Sequence, residues 1–219
     1  MNNTPHTNCL TLRLLHAAKG YKAVAFDIFD TLLKRDCAHP ADLFALMEAT
    51  HQAALGFAGA RVAAEAETRQ TLGREVTLAE IYAHPALRGT DPAAECAAEL
   101  AMIAPNRPVA QAAAACHARG QKVYAVSDMY LPKEQIEAML QKCGLDFLDG
   151  VFVSCEYRVQ KRSGKLFKLF LQQTALRPAE VLFVGDSPRA DFAGAALAGI
   201  RCFLLPQEPS VRIKSKIPI

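Results

Sequence analysis

Four short runs of this chain share one design. Residues 22–27 (KAVAFD), 122–128 (KVYAVSD), 150–154 (GVFVS) and 181–186 (VLFVGD) each hold an unbroken apolar segment that ends in a polar residue. Alternating hydrophobicity suits a strand with one wet face. Continuous hydrophobicity suits a strand covered by helices on both faces, as in a parallel sheet. A fifth run, residues 200–204, can close the set. Helix-like segments lie between the runs, at 110–119, 132–143, 166–174 and 189–198. The alternation predicts a doubly wound, Rossmann-like α/β fold with a parallel sheet, in which ligands sit at the carboxyl ends of the strands.

Residues 36–105 break the alternation. They are rich in Ala, Leu and Glu at helical spacing, with no convincing strand. Thr77 followed by Glu80 matches a capping box, and prolines at 85, 92, 105 and 108 punctuate the segments. The expected organisation is an α/β core of residues 1–35 and 106–219 and an inserted helical cap of about four helices over 36–105, joined by two short crossings near Arg35 and Asn106.

The charge balance narrows the function classes. In 219 residues, 25 basic and 22 acidic side chains leave a net charge of +3, which gives no large positive field for nucleic acid. The basic stretch at 212–216 reads as a solvated tail. Seven cysteines stand singly with no CxxC pair, as expected of reduced thiols in the cytoplasm. No run reaches the roughly 18 residues of a membrane helix, and residues 1–8 are polar rather than signal-like. The expectation is a soluble, cytoplasmic protein with no membrane or nucleic-acid partner. Nothing in the patterning sets an oligomeric state.

The polar strand ends carry the chemistry. Asp27, Asp30 and Thr31 lie in DIFDT after the first run. Crowded carboxylates raise one another's pKa unless a cation offsets them, although an isolated pair can equally be a turn cap and a solvated acid. Asp186 and Asp191 add two more in GDSPRAD, where Gly185 lets the chain turn tightly. Four carboxylates suit a hard divalent cation with oxygen ligands such as magnesium; Asp191 can instead be a surface residue. Ser127, with Asp128 and the amides after it, ends the second run and can meet an anion or cap a helix. Lys161, in the polar loop after the third run, can place a point charge on a phosphoryl group.

Together these segments resemble the four motifs of the haloacid dehalogenase (HAD) superfamily: DIFDT the first, Ser127 the second, Lys161 the third and GDSPRAD the fourth. Lys165 rivals Lys161, but Lys161 precedes Phe167 by six residues, similar to the related KPxPxxF spacing. The strings FDIFDTLL, VSDMYLP, KRSGKLF and GDSPRAD further resemble a bacterial subgroup associated with polysaccharide biosynthesis. The resemblance implies a magnesium-dependent phosphatase acting on a small phosphorylated substrate. Asp27 would be the nucleophile that forms an aspartyl-phosphate. Thr31, Ser127, Asp128 and Lys161 would hold the phosphoryl group, and Asp27, Asp30, Asp186 and Asp191 would bind Mg2+. The chain departs from the family pattern in one respect. The acid/base Asp usually stands second after the nucleophile, where this chain has Phe29, so Asp30, one place later, is the acid/base candidate.

A dehalogenase would leave the second acidic pair without a task, and a receiver-type signalling domain would lack the helical insertion. A catalytically weak regulatory or scaffolding module of a glycan-assembly system is the alternative that the displaced Asp30 keeps open. In the cap, Arg61, Glu65 and Arg69 share one helix face. They form either a salt-bridge ladder or a specificity surface in which Arg61 and Arg69, with Tyr130 after the second motif, meet the leaving group.

Overall fold

The computed structural model describes residues 5–37 and 39–206, so residues 1–4 and the basic stretch at 212–216 lie outside the described residues. The strands run in chain order as β1 (Ala23–Phe26), β2 (Leu33–Arg35), β3 (Ile103–Pro105), β4 (Lys122–Ser127), β5 (Gly150–Val153), β6 (Val181–Gly185) and β7 (Arg201–Leu204). The five apolar runs form one parallel sheet in the order β5-β4-β1-β6-β7, the doubly wound architecture that their composition predicts. From β1 the chain winds outward through β4 and β5, then returns to the other side of β1 for β6 and β7. The winding reverses at β1, and a crevice opens at the carboxyl ends of strands at such a switch point. Asp27 directly follows β1, and its N–H donates to the Val184 carbonyl at 2.8 Å.

The helices are α1 (Pro5–Ala17), α2 (Asp42–Ala49), α3 (Phe57–Leu72), α4 (Leu78–Tyr82), α5 (Pro92–Met102), α6 (Arg107–Ala118), α7 (Lys133–Lys142), α8 (Ser154–Tyr157), α9 (Lys165–Thr174) and α10 (Gly194–Leu197). Every residue of β1 is buried. Val24 and Phe26 join the apolar layer of Leu14, Val109, Ala112 and Ile136, while Ala23 and Ala25 join that of Leu166, Phe167, Phe170 and Phe183. Both sheet faces are thus covered by helices, which is why the strand sequences do not alternate.

Three elements differ from the sequence reading. Residues 103–105, expected within the helical stretch, form β3, paired antiparallel with β2 from Leu33↔Pro105 to Arg35↔Ile103. Strands this short leave no period to read, and their partners lie far apart in the chain. The expected helix over 189–198 divides into a π-helical turn, Pro188–Ala193, and the short α10, because Ser187 Oγ caps the Ala190 N–H and Asp191 is drawn inward. Helix α1 was not expected from a polar start. It packs against α6, and Thr11 Oγ1 donates to the Pro108 carbonyl at 2.9 Å.

Between β2 and β3 lie α2, α3, α4 and α5, with a 3₁₀ turn at Pro85–Leu87. The Thr77–Glu80 capping box is present, each side chain accepting the other residue's N–H. Among the described residues no helix is long and apolar enough to cross a membrane. All seven cysteines are free thiols.

Candidate active site

The register brings the strand ends to one edge: Phe26 pairs with Ala125 and Val184, and Ser127 pairs with Val153. Asp27, Ser127, Asp128 and Asp186 follow from that pairing alone. Lys161 comes from a 3₁₀ turn, Lys161–Ser163, beyond α8. Its ammonium is buried and donates to Asp27 Oδ1 at 2.5 Å and to Asp191 Oδ1 at 2.6 Å. Lys165 is exposed at the start of α9, so Lys161 is the lysine that joins the carboxylates. Asp191 is fully buried, and its Oδ2 accepts the N–H groups of Asp186 at 3.0 Å and Ser187 at 2.9 Å. Gly185 serves this close approach rather than a tight turn, since a Cβ there would lie 2.3 Å from Asp191 Oδ2.

Oxygens of Asp27, Asp186 and Asp191 lie within 4.8 Å of one another, close enough to share a cation. Thr31, buried, donates its hydroxyl to Asp186 Oδ1 at 3.3 Å. Asp191 has both oxygens engaged, whereas Asp27 Oδ2 and Asp186 Oδ2 carry no hydrogen bond among the described residues. Hard carboxylate oxygens in this arrangement fit a divalent cation such as magnesium.

The electrostatics follow from crowding. Burial pushes the Asp27 carboxyl up to about 7 against the pull of Lys161, with Asp191 and Asp186 adding to the rise. Burial, then Asp191 and Asp30, raise Asp186 as well. Burial opposes the Lys161 charge, but Asp27, Asp191 and Asp128 outweigh it and hold the ammonium above the ordinary lysine range. A site with this surplus of carboxylate is relieved by a bound cation.

Several expected site residues fall elsewhere. Asp30 is exposed, in a left-handed conformation at φ 59°, and outside the carboxylate cluster, which among the described residues comprises Asp27, Asp186 and Asp191. The place before it is filled by Phe29, with the Arg35 guanidinium 4.0 Å from its ring centroid. Asp128 was expected to meet the phosphoryl group. Its Oδ1 accepts the Lys161 N–H at 2.8 Å, since a carboxylate oxygen is an acceptor.

Arg61 was a candidate specificity residue. It is wholly buried, paired with Glu95 at 2.6 and 2.8 Å and with Glu65 at 3.1 Å, between the rings of Phe44 and Tyr130. Arg69 pairs with Glu65 at 3.0 Å and with Glu75, so the salt-bridge ladder describes both arginines. Tyr130 is buried against Arg61, and its carbonyl accepts the Leu78 N–H from α4 at 2.8 Å.

Two supporting residues escaped the sequence reading. Ser154 Oγ accepts the Met129 N–H at 2.9 Å and stiffens the loop after β4. Asn106 Nδ2 donates to the Thr31 carbonyl at 2.7 Å. Ser154 was legible only as the polar end of its strand, and Asn106 only as a crossing point.

No curated protein matches the chain. The fold is similar to that of L-2-haloacid dehalogenase from Xanthobacter autotrophicus, at 22% identity and TM-score 0.60 over 84% of this chain and 77% of that one. It is similar to the HAD-hydrolase YfnB from Bacillus subtilis, bound to magnesium, at 19% identity and TM-score 0.60 over 85% and 89%. A HAD family enzyme from Bacteroides thetaiotaomicron, in complex with magnesium and inorganic phosphate, matches at 16% identity and TM-score 0.61 over 85% and 95%. The family model for haloacid dehalogenase-like hydrolases matches residues 21–199, most of the chain, including Asp27, Ser127, Lys161, Asp186 and Asp191, and the chain belongs to that family.

Proposed function

We propose that this hydrolase is a magnesium-dependent phosphatase of small phosphomonoesters, with residues 36–105 acting as a cap over a core of residues 1–35 and 106–219. The observation that carries the reading is the placement of Asp27 at the end of the central strand, one oxygen on Lys161 and the other bare beside Asp186. Asp27 and Asp186, with Asp191 completing the acidic cluster, are the residues that would hold magnesium, which when bound offsets repulsion between carboxylate and phosphoryl oxygens. Asp27 attacks phosphorus and the ester oxygen departs, leaving an aspartyl-phosphate that water hydrolyses. Lys161, Ser127 and Thr31 hold the phosphoryl oxygens. Asp30, exposed on the same loop, supplies the proton to the leaving oxygen. The magnesium and phosphate held by the structurally similar Bacteroides enzyme agree with this reading.

The placement of Asp30 outside the cluster favours one second reading, a catalytically weak module that takes up phosphate once. A screen of sugar phosphates, nucleotides and acyl phosphates, with magnesium and with chelator, separates the readings. Magnesium-dependent multiple turnover supports the phosphatase. Halide release from a 2-haloacid in chelator, with no phosphate release from any substrate, overturns it, and a single stoichiometric phosphorylation supports the weak module.

A further inference from the structure

Lys161 is held at three separate atoms by several separate parts of the fold. Its N–H donates to Asp128 Oδ1 at 2.8 Å, in the loop after β4. Its carbonyl lies against Gly194, the first residue of α10, where a Cβ would stand 2.2 Å from Lys161 O and 2.8 Å from its carbonyl carbon. Its Nζ bridges Asp27 and Asp191. Lysine is a flexible stem with a point charge at its end, so placing that charge reproducibly requires the backbone beneath it to be fixed. The peptide groups on both sides of Lys161 are fixed here, one by a carboxylate acceptor and the other by the Gly164 N–H, which donates to the Lys161 carbonyl at 2.7 Å, and by the close approach of Gly194.

We propose that Asp128 and Gly194 are positioning residues that set where Lys161 presents its ammonium, and that Asp128 is not a substrate contact. The proposal rests on the reading of Lys161 as a phosphoryl-binding group. An ionised Asp128 has no donor to offer a phosphoryl oxygen, which is itself an acceptor, and its oxygen is already satisfied by the lysine N–H. Gly194 serves the same end from the opposite side. Any side chain there must push either the Lys161 peptide or α10 away, because the obstacle at 2.2 Å is backbone and not the end of a mobile side chain.

The test uses the full chain with magnesium and reads two quantities: hydrogen exchange at the Lys161 amide, and affinity for orthovanadate, a tetrahedral oxyanion probe. Asp128→Ala is expected to speed exchange and weaken vanadate binding, each by about tenfold. Asp128→Asn, which keeps an oxygen acceptor, restores both to within about threefold of the parent. Gly194→Ala reproduces the Asp128→Ala result; if its melt shows that it does not fold, the Asp128 pair decides. In a Lys161→Met background, Asp128→Ala costs no further vanadate affinity. Unchanged amide exchange in Asp128→Ala overturns the proposal, as do equal losses in the Ala and Asn variants or an undiminished loss in the Lys161→Met background. If the parent protein binds no vanadate, the phosphatase reading falls, and amide exchange alone still decides what Asp128 and Gly194 do.

Discussion

Asp27 has two unlike oxygens: Oδ1 is held by Lys161 at 2.5 Å, and Oδ2 carries no hydrogen bond among the described residues. Its neighbours Asp186 and Asp191 make the position costly to keep ionised. Asp27→Asn preserves volume but removes the proposed nucleophile. We expect turnover to fall to background while the melting temperature holds or rises, since a buried carboxylate is replaced by a neutral amide. Kinetics and a thermal melt on the same preparation check this, and near-parent activity would sink the nucleophile assignment. At this scale Asp27, Lys161 and Asp186 were legible because each follows an apolar strand or its loop. The position of Asp30 outside the cluster was not, because it depends on how the loop after β1 turns in space. Nor was Asp128, whose partner is a backbone amide 33 positions away.

Helix α3 crosses the insertion with Arg61 buried among Phe44, Tyr82 and Tyr130 and bonded twice to Glu95 of α5. Removing one partner of a buried pair strands the other charge, so Arg61→Ala is expected to cost about 3–5 kcal/mol. Urea titration measures this, and a loss below about 1 kcal/mol would put the pair among surface bridges instead. Helix α4 offers a pH-dependent link. Glu80, in the capping box, also meets Arg74 and, across to the core, Arg158. Arg74, the Thr77 N–H and Arg158 hold the Glu80 carboxyl down at about 2, against an ordinary value of 4.5. A depressed carboxyl stabilises the fold above its unfolded value, and that contribution is lost as pH falls through 4.5 toward 2. Glu80→Gln should therefore lower the melting temperature at pH 7 more than at pH 3. Equal shifts at the two pH values would remove Glu80 from acid sensitivity. The helices themselves were readable from spacing and capping, but which helix faced which was not.

Across the whole molecule, the two crossings tie the helical insertion to the loop that follows β1. Asn106 donates its amide to the Thr31 carbonyl at 2.7 Å and its N–H to the Leu32 carbonyl at 2.8 Å, and the Thr31 hydroxyl meets Asp186. Strands β2 and β3 and the Arg35–Glu99 pair at 2.9 and 3.1 Å brace the same junction. Asn106→Ala is expected to lower kcat/KM by about tenfold, the usual cost of losing a partner one shell out from a site, while the helices stay folded by circular dichroism. Undiminished kcat/KM would show that the junction is mere scaffolding. The sequence by itself determined the layered α/β sheet, the helical insertion and the gathering of the polar strand ends at one edge. A strand covered on both faces must be continuously apolar, and parallel strands in one sheet bring their carboxyl ends to one edge. Only the tertiary structure decided which carboxylates meet, that Asp30 lies outside their cluster, that Asp128 accepts a lysine N–H and that Arg61 pairs with Glu95. Those outcomes depend on contacts between residues distant in the chain, and no local period of hydrophobicity or charge records them.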